Sequence, residues 1–141
     1  TCRALSGLPN LVGIKEASRD IRKYLSLLSR CGRDFTVWCG NDDLTVPALA
    51  LGAKGVISVA SNLIPEEMRA LAEAALDGDF DTAADLQLRL LPLTEALFAT
   101  TNPVPVKAAM KILGYDCGIC RAPLAPLPEE QRRNLLRLLQ E

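Results

Sequence analysis

An α/β fold is expected for this chain, and three observations predict it. Three strand-then-helix units of about 20 to 25 residues follow one another without hairpin signals, a pattern that favours parallel strands joined by right-handed crossovers. The rest of the chain is helical in pattern. The length of 141 residues allows either a small flavodoxin-like sheet or part of a (β/α)8 TIM barrel, a complete barrel needing about 250 residues. Pattern alone does not choose between these two.

Residues 11–17 form a short, mostly apolar run of the kind that becomes a strand covered on both faces. Ser18 is the expected N-cap of the following helix, in which Ile21, Tyr24, Leu25 and Leu28 share a face and Gly32 supplies the stop. Residues 35–39 read as a second strand. Gly40 to Asp43 then turn the chain into a short helix through Leu51, with Pro47 in an early turn and Gly52 at its end. Residues 55–60, rich in β-branched side chains, read as a third strand. Asn62, Pro65, Glu66 and Glu67 open a helix whose apolar stripe is Met68, Leu71, Ala72, Ala75 and Leu76, ending at Gly78.

Asp79 is expected to cap a long helix reaching about Ala99, with a kink at Pro92. Asn102-Pro103 starts another helix, ended by Gly114, and Pro128 starts a last one carrying Leu135, Leu136, Leu138 and Leu139. The proline-rich stretch 121–128 reads as a linker. The division expected from these elements is 1–77 for the βα units and 78–141 for a helical domain.

Sixteen basic against 17 acidic residues, a net charge of -1, argue against nucleic-acid or membrane-surface partners, which require a strong positive field. Arg19, Arg22, Lys23, Arg30 and Arg33 read as a solvated helix face. With no histidine, Ser-His and Cys-His catalysis and histidine-ligated zinc are excluded within this chain. Five cysteines, an odd number in a chain long enough to build a core, fit a reducing, cytoplasmic setting. Cys117 and Cys120 have redox or zinc spacing, but no second pair completes a metal site, so no metal is expected. No run of about 18 apolar residues and no basic-then-apolar leader is present, so neither a membrane span nor a signal peptide is expected. A first residue Thr1 in place of Met hints at removed upstream sequence.

Lys15 is the anomaly. A charged side chain inside an apolar strand is costly without a partner or a purpose. By the two-residue period it shares a face with Gly13 and Ala17, small residues expected to leave room beside the amine. Partial burial would favour a neutral amine able to attack a carbonyl and form an imine. An ion pair with Glu16 or another acid, and a phosphate contact at a strand end, are the alternatives.

Gly13-Ile-Lys-Glu-Ala-Ser18, Gly40-Asn-Asp42, Gly55-Val-Ile-Ser-Val59 and Asn102-Pro-Val-Pro-Val-Lys107 together resemble, in order and spacing, the carboxy-terminal half of the dihydrodipicolinate synthase family. That family lies within the pyruvate-dependent class I aldolases. The resemblance covers essentially the whole chain and implies the last three βα units of a (β/α)8 barrel followed by a carboxy-terminal helical domain. It implies that Lys15 forms a Schiff base with pyruvate, whose enamine attacks aspartate semialdehyde to give 4-hydroxy-tetrahydrodipicolinate, a precursor of lysine and diaminopimelate. It further implies that Gly40 and the backbone of Ile57 border bound pyruvate, that the covalent imine replaces any cofactor, and that the full-length protein is a homo-oligomer, active members of the family being commonly homotetramers. Asn41, Asn102, Pro103, Pro105 and Lys107 receive no catalytic role, and neither Tyr24 nor Tyr115 is expected to be the general acid.

The family's proton-relaying tyrosine, its neighbouring threonine, a tyrosine from across a subunit contact, an arginine for the second substrate and most of the lysine-feedback site have no counterpart here. The chain alone is therefore expected to have little or no synthase activity and to need its amino-terminal half, or another copy, to cover its open strand edges. Other readings are a related pyruvate aldolase, such as N-acetylneuraminate lyase or a keto-deoxy sugar-acid aldolase, and a flavodoxin-like phosphate-binding module. Against the last, Ser18-Arg19-Asp20 is a poor phosphate cradle.

Overall fold

Short apolar runs set between turn residues become the two strands of a parallel sheet. The computed structural model describes residues 1–32 and 34–140. After a single-turn helix α1 (Cys2–Leu5), β1 (Gly13–Glu16) pairs in parallel with β2 (Thr36–Cys39), and Lys15 stands opposite Trp38. In β2, Val37 and Cys39 are buried while Thr36 and Trp38 are half-buried, the alternation expected of a strand.

The third strand expected over 55–60 is largely absent. Lys54 N–H donates to the Val37 carbonyl (2.9 Å), Cys39 N–H to Gly55 (2.8 Å) and Ile57 N–H to Cys39 (2.7 Å), and a single parallel bridge joins Cys39 and Val56. The chain then tightens into a 3-10 turn over Ala60–Asn62. Asp42 accounts for the early ending: its Oδ2 accepts the amides of Val59 (3.0 Å) and Ala60 (2.9 Å). Donors that a longer ladder would use are committed to a carboxylate. Ile57 is correspondingly 46% exposed and not a core strand residue. Among the described residues β1 has no strand partner on its other edge.

α2 (Ile21–Arg30) begins at Asp20, whose carboxylate accepts the Arg22 amide at 3.1 Å. Ser18 is not the cap, because Arg19 adopts a left-handed φ of 62° and separates it from the helix. Tyr24 is buried and Ile21 and Leu28 pack inward as expected, but Leu25 faces solvent and Leu27 packs inward in its place. Arg22, Lys23 and Arg30 are exposed. Arg19 instead precedes the helix, 5.3 Å over the Phe98 ring and 3.9 Å from Asp43. Arg33 lies outside the described residues.

A 3-10 turn (Asp42–Leu44) leads into α3 (Thr45–Ala50). α4 (Pro65–Asp77) has proline at its start, acidic residues in its first turn and left-handed Gly78 (φ 84°) at its end. Met68, Leu71 and Ala75 are buried, whereas Leu76 faces solvent. α5 (Phe80–Leu97) is capped by Asp79, which accepts the Thr82 amide at 3.1 Å. It runs through Pro92 without interruption. Pro92 and Leu88 are both exposed, so the Leu88 carbonyl left without its helical donor is on the side facing water. α6 (Val104–Ile112) and α7 (Glu129–Leu138) follow, separated by an irregular segment.

Two apolar clusters hold these elements. One gathers Tyr24, Val37, Cys39, Ala48 and Leu49 beneath the strands. The other joins Met68, Leu71, Leu97, Val106 and Leu135 between α4, α5, α6 and α7. Each fully buried leucine contributes about 1.5–3 kcal/mol of transfer free energy. α4 and α5 supply both clusters, through Ala75 and Ala83 on the strand side. All five cysteines are free thiols, and among the described residues no helix is long and apolar enough to cross a membrane.

Candidate active site

Lys15 sits in β1 one residue before its end, where neighbouring backbone approaches closely. A Cβ on Gly40 would fall 2.7 Å from Lys15 Cε, 2.6 Å from the Ala17 Cβ and 2.9 Å from the Glu16 carbonyl. The absent side chain at Gly40 thus makes room for the stem of Lys15 itself. The space expected beside Gly13 is already filled, since a Cβ there would meet the Thr36 carbonyl and the Trp38 ring. Lys15 is exposed, so the partial burial expected for it is not supplied by this chain. Among the described residues it forms no salt bridge, the bridging cations being Arg19, Arg22, Arg69 and Arg132. Glu16, the expected alternative partner, accepts the Ser18 amide at 2.6 Å.

A cavity of about 310 Å³ opens beside Lys15 and is lined also by Ser58, Asn62, Asn102, Lys107 and Cys117. Lys107 is half-buried and donates from Nζ to the Ile119 carbonyl at 3.1 Å. The segment 102–107 therefore does more than initiate α6: its first and last residues form walls of the space that Lys15 enters. Reading Asn102-Pro103 only as a helix-start signal overlooked this, and no local signal marked it. Gly40 meets Lys15 directly. Ile57 does not line the cavity, whereas its neighbours Ser58 and Val59 do.

The profile of the Dihydrodipicolinate synthetase family matches residues 1–141. The chain belongs to that family. The 4-hydroxy-tetrahydrodipicolinate synthase of an Exiguobacterium species is 43% identical over 141 residues, 100% of this chain and 48% of the relative. Among solved structures, dihydrodipicolinate synthase from Aquifex aeolicus superposes with a TM-score of 0.93 at 40% identity, covering 99% of this chain and 47% of that one. A monomeric dihydrodipicolinate synthase variant superposes at 0.88 with 39% identity, over 99% of this chain and 47% of the variant. The chain thus spans about half the length of the relatives it matches. These neighbours displace the flavodoxin-like alternative.

Beneath Lys15, this dihydrodipicolinate synthetase family member carries a buried polar layer that sequence reasoning missed. The Tyr24 hydroxyl donates to the Glu16 carbonyl at 2.6 Å and lies 3.3 Å from Cys39 Sγ, whose thiol donates to the Asn41 carbonyl at 3.2 Å. Burial foremost, then the contact with Cys39, raises the Tyr24 pKa well above the ordinary tyrosine value. Burial likewise raises that of Cys39, against opposing hydrogen bonds from Tyr24 and Asn41. Both groups are neutral near pH 7 and act as supports for the strand ends. Asp42 completes the layer: besides capping Val59 and Ala60, its carbonyl accepts from Gln87 Nε2 at 2.9 Å and Thr45 Oγ1 at 3.0 Å. Tyr115 is exposed and does not line the cavity.

Proposed function

We propose that this chain contributes the nucleophile Lys15 and part of the pyruvate pocket to a 4-hydroxy-tetrahydrodipicolinate synthase, as the last three βα units (1–77) and the helical domain (78–141) of a (β/α)8 barrel. One observation carries the reading: Lys15 on β1 and Asn102 and Lys107 at the start of α6, distant in sequence, line one cavity. The names borne by the relatives support the same reaction.

The Lys15 amine adds to the pyruvate ketone and water leaves, giving a protonated imine. That imine withdraws electrons from the adjacent methyl, which gives up a proton to form an enamine. The enamine carbon attacks the aldehyde of aspartate semialdehyde, forming the new C–C bond. The substrate's own amine then displaces Lys15 as the ring closes. Gly40 keeps the Lys15 stem close to β2. Ser58 and Val59, in place of Ile57, bring this segment to the cavity wall, the Ile57 amide being committed to the Cys39 carbonyl. No cofactor enters this scheme.

The exposure of Lys15 supports a further requirement: a second body must cover the amine so that water is excluded from the imine. The open edge of β1 suits the missing amino-terminal half, which would also bring the general acid and the second-substrate groups. Assembly of the complete protein into a homotetramer, and a cytoplasmic location for its free thiols, belong to the same proposal.

The test is borohydride reduction in the presence of pyruvate, followed by peptide mass mapping, with and without a supplied amino-terminal half. An adduct on Lys15 is expected, strongest with both halves. None in either case, with the joined fold verified, would remove Lys15 as nucleophile. Sugar-aldehyde acceptors outperforming aspartate semialdehyde would assign the chain to a related pyruvate aldolase.

A further inference from the structure

Lys107 lies between two spaces. On one side is the cavity of about 310 Å³ that contains Lys15. On the other is an apolar groove of about 1050 Å³ between α6 and residues 116–127, lined by Ile112, Ile119 and Leu124 among others. The partition between them is the strap 116–120, which puts Cys117 on the Lys15 side and Ile119 and Cys120 on the groove side.

The strap has little else to hold it. It contains no regular secondary structure, and Ile119 is 89% exposed. Its one internal bond is from the Gly118 amide to Asp116 Oδ1 at 3.0 Å. Among the described residues, the hydrogen bond that ties it to the rest of the chain is the one from Lys107 Nζ to the Ile119 carbonyl. Although this bond is exposed, a charged ammonium bound to a carbonyl is stronger than a neutral pair. Its stem is fixed in α6, whose neighbouring Val106 and Ala109 are buried in the apolar cluster, so the donor starts from a rigid base.

We propose that Lys107 is a positioning residue that holds the strap as one wall of the Lys15 cavity and so confines it to a small keto acid. The inference rests on the Schiff-base reading for its chemical consequence. The latch itself does not depend on that reading. Without the bond the strap swings outward, Cys117 leaves the cavity, and the small cavity merges with the larger groove.

The experiment joins Lys15 to Cys117 with a short amine-to-thiol cross-linker, the product being mapped by mass, in the chain paired with its amino-terminal half. Lys107→Met and Lys107→Arg are compared with the parent chain. The expected result is a cross-link yield about five-fold lower in Lys107→Met and restored in Lys107→Arg, the size of effect expected from one partly exposed charged hydrogen bond. In the same samples, the pyruvate concentration giving half-maximal borohydride trapping should rise by a similar factor while the maximal extent is unchanged. A cross-link indifferent to Lys107→Met overturns the positioning role, whatever the pyruvate result. No pyruvate adduct, with a cross-link still dependent on Lys107, overturns the Schiff-base reading and leaves the latch standing.

Discussion

Replacing Gly40 by alanine places a methyl where the chain has no room for one. The new Cβ would stand 2.6 Å from the Ala17 Cβ and 2.9 Å from the Glu16 carbonyl, well inside the 3.4 Å at which ordinary contact begins. Lys15 Cε, 2.7 Å away, is the far end of a flexible side chain and can swing aside. The other two neighbours cannot, because the Gly40 amide pins the Glu16 carbonyl at 2.8 Å and Tyr24 holds the same carbonyl from below. The ends of β1 and β2 must therefore separate. Overpacking of this kind costs about 1–3 kcal/mol, and displacement of Lys15, the proposed nucleophile, adds to it. Urea titration followed by circular dichroism should report the stability loss, and pyruvate-borohydride trapping should fall by about ten-fold or more, the rate effect of 1.4 kcal/mol. Gly7→Ala is the control, since nothing lies within 4 Å of its added Cβ. Gly40→Ala indistinguishable from Gly7→Ala in both assays would refute the close-approach argument.

Asp42→Ala strands the buried amides of Val59 and Ala60 and should cost about 2–5 kcal/mol in a urea titration. Asp42→Asn should cost far less, because one oxygen can still accept both amides and the position of Oδ1 has no hydrogen-bond partner to lose; equal losses in the two variants would count against the capping role. Tyr24 holds its proton above the ordinary value of 10.0, so its contribution is complete below pH 10 and declines at higher pH, where the unfolded chain ionises and the folded one does not. The urea midpoint should fall above that pH with a slope of at most about 1.4 kcal/mol per unit from this group. Tyr24→Phe should remove that part of the slope, leaving the decline from Cys39 that begins near its ordinary value of 9.0. An unaltered slope in Tyr24→Phe would show that Tyr24 ionises alike in both states.

Local signals made much of this architecture legible. The apolar runs around Ile14 and Val37 form strands, Asp79 caps its helix, and Gly78 ends one in the left-handed conformation that glycine favours. The misreadings come from contacts between distant residues. A β-branched run at 55–60 reads as a strand until the carboxylate of Asp42 takes its amides. Ser18 reads as a cap until Arg19 turns left-handed between it and the helix. Leu25 and Leu27 exchange places because the inward face of α2 is set by what lies beneath it. At the site, Lys15 stood out as a cation in an apolar strand. The convergence of Asn102, Lys107 and Cys117 on it arises only from the docking of α6 and has no local signature.

Trp38, the sole tryptophan of the chain, occupies the space that a side chain on Gly13 would need, and lies 3.6 Å from where a Cβ on Gly55 would project. Its half-buried indole thus touches the two segments that flank β2. The protein carries an intrinsic optical reporter at the seam of its parallel segments, needing no added label. Docking of a covering half along the open edge should shift its emission to the blue, and loosening of β1 should shift it to the red.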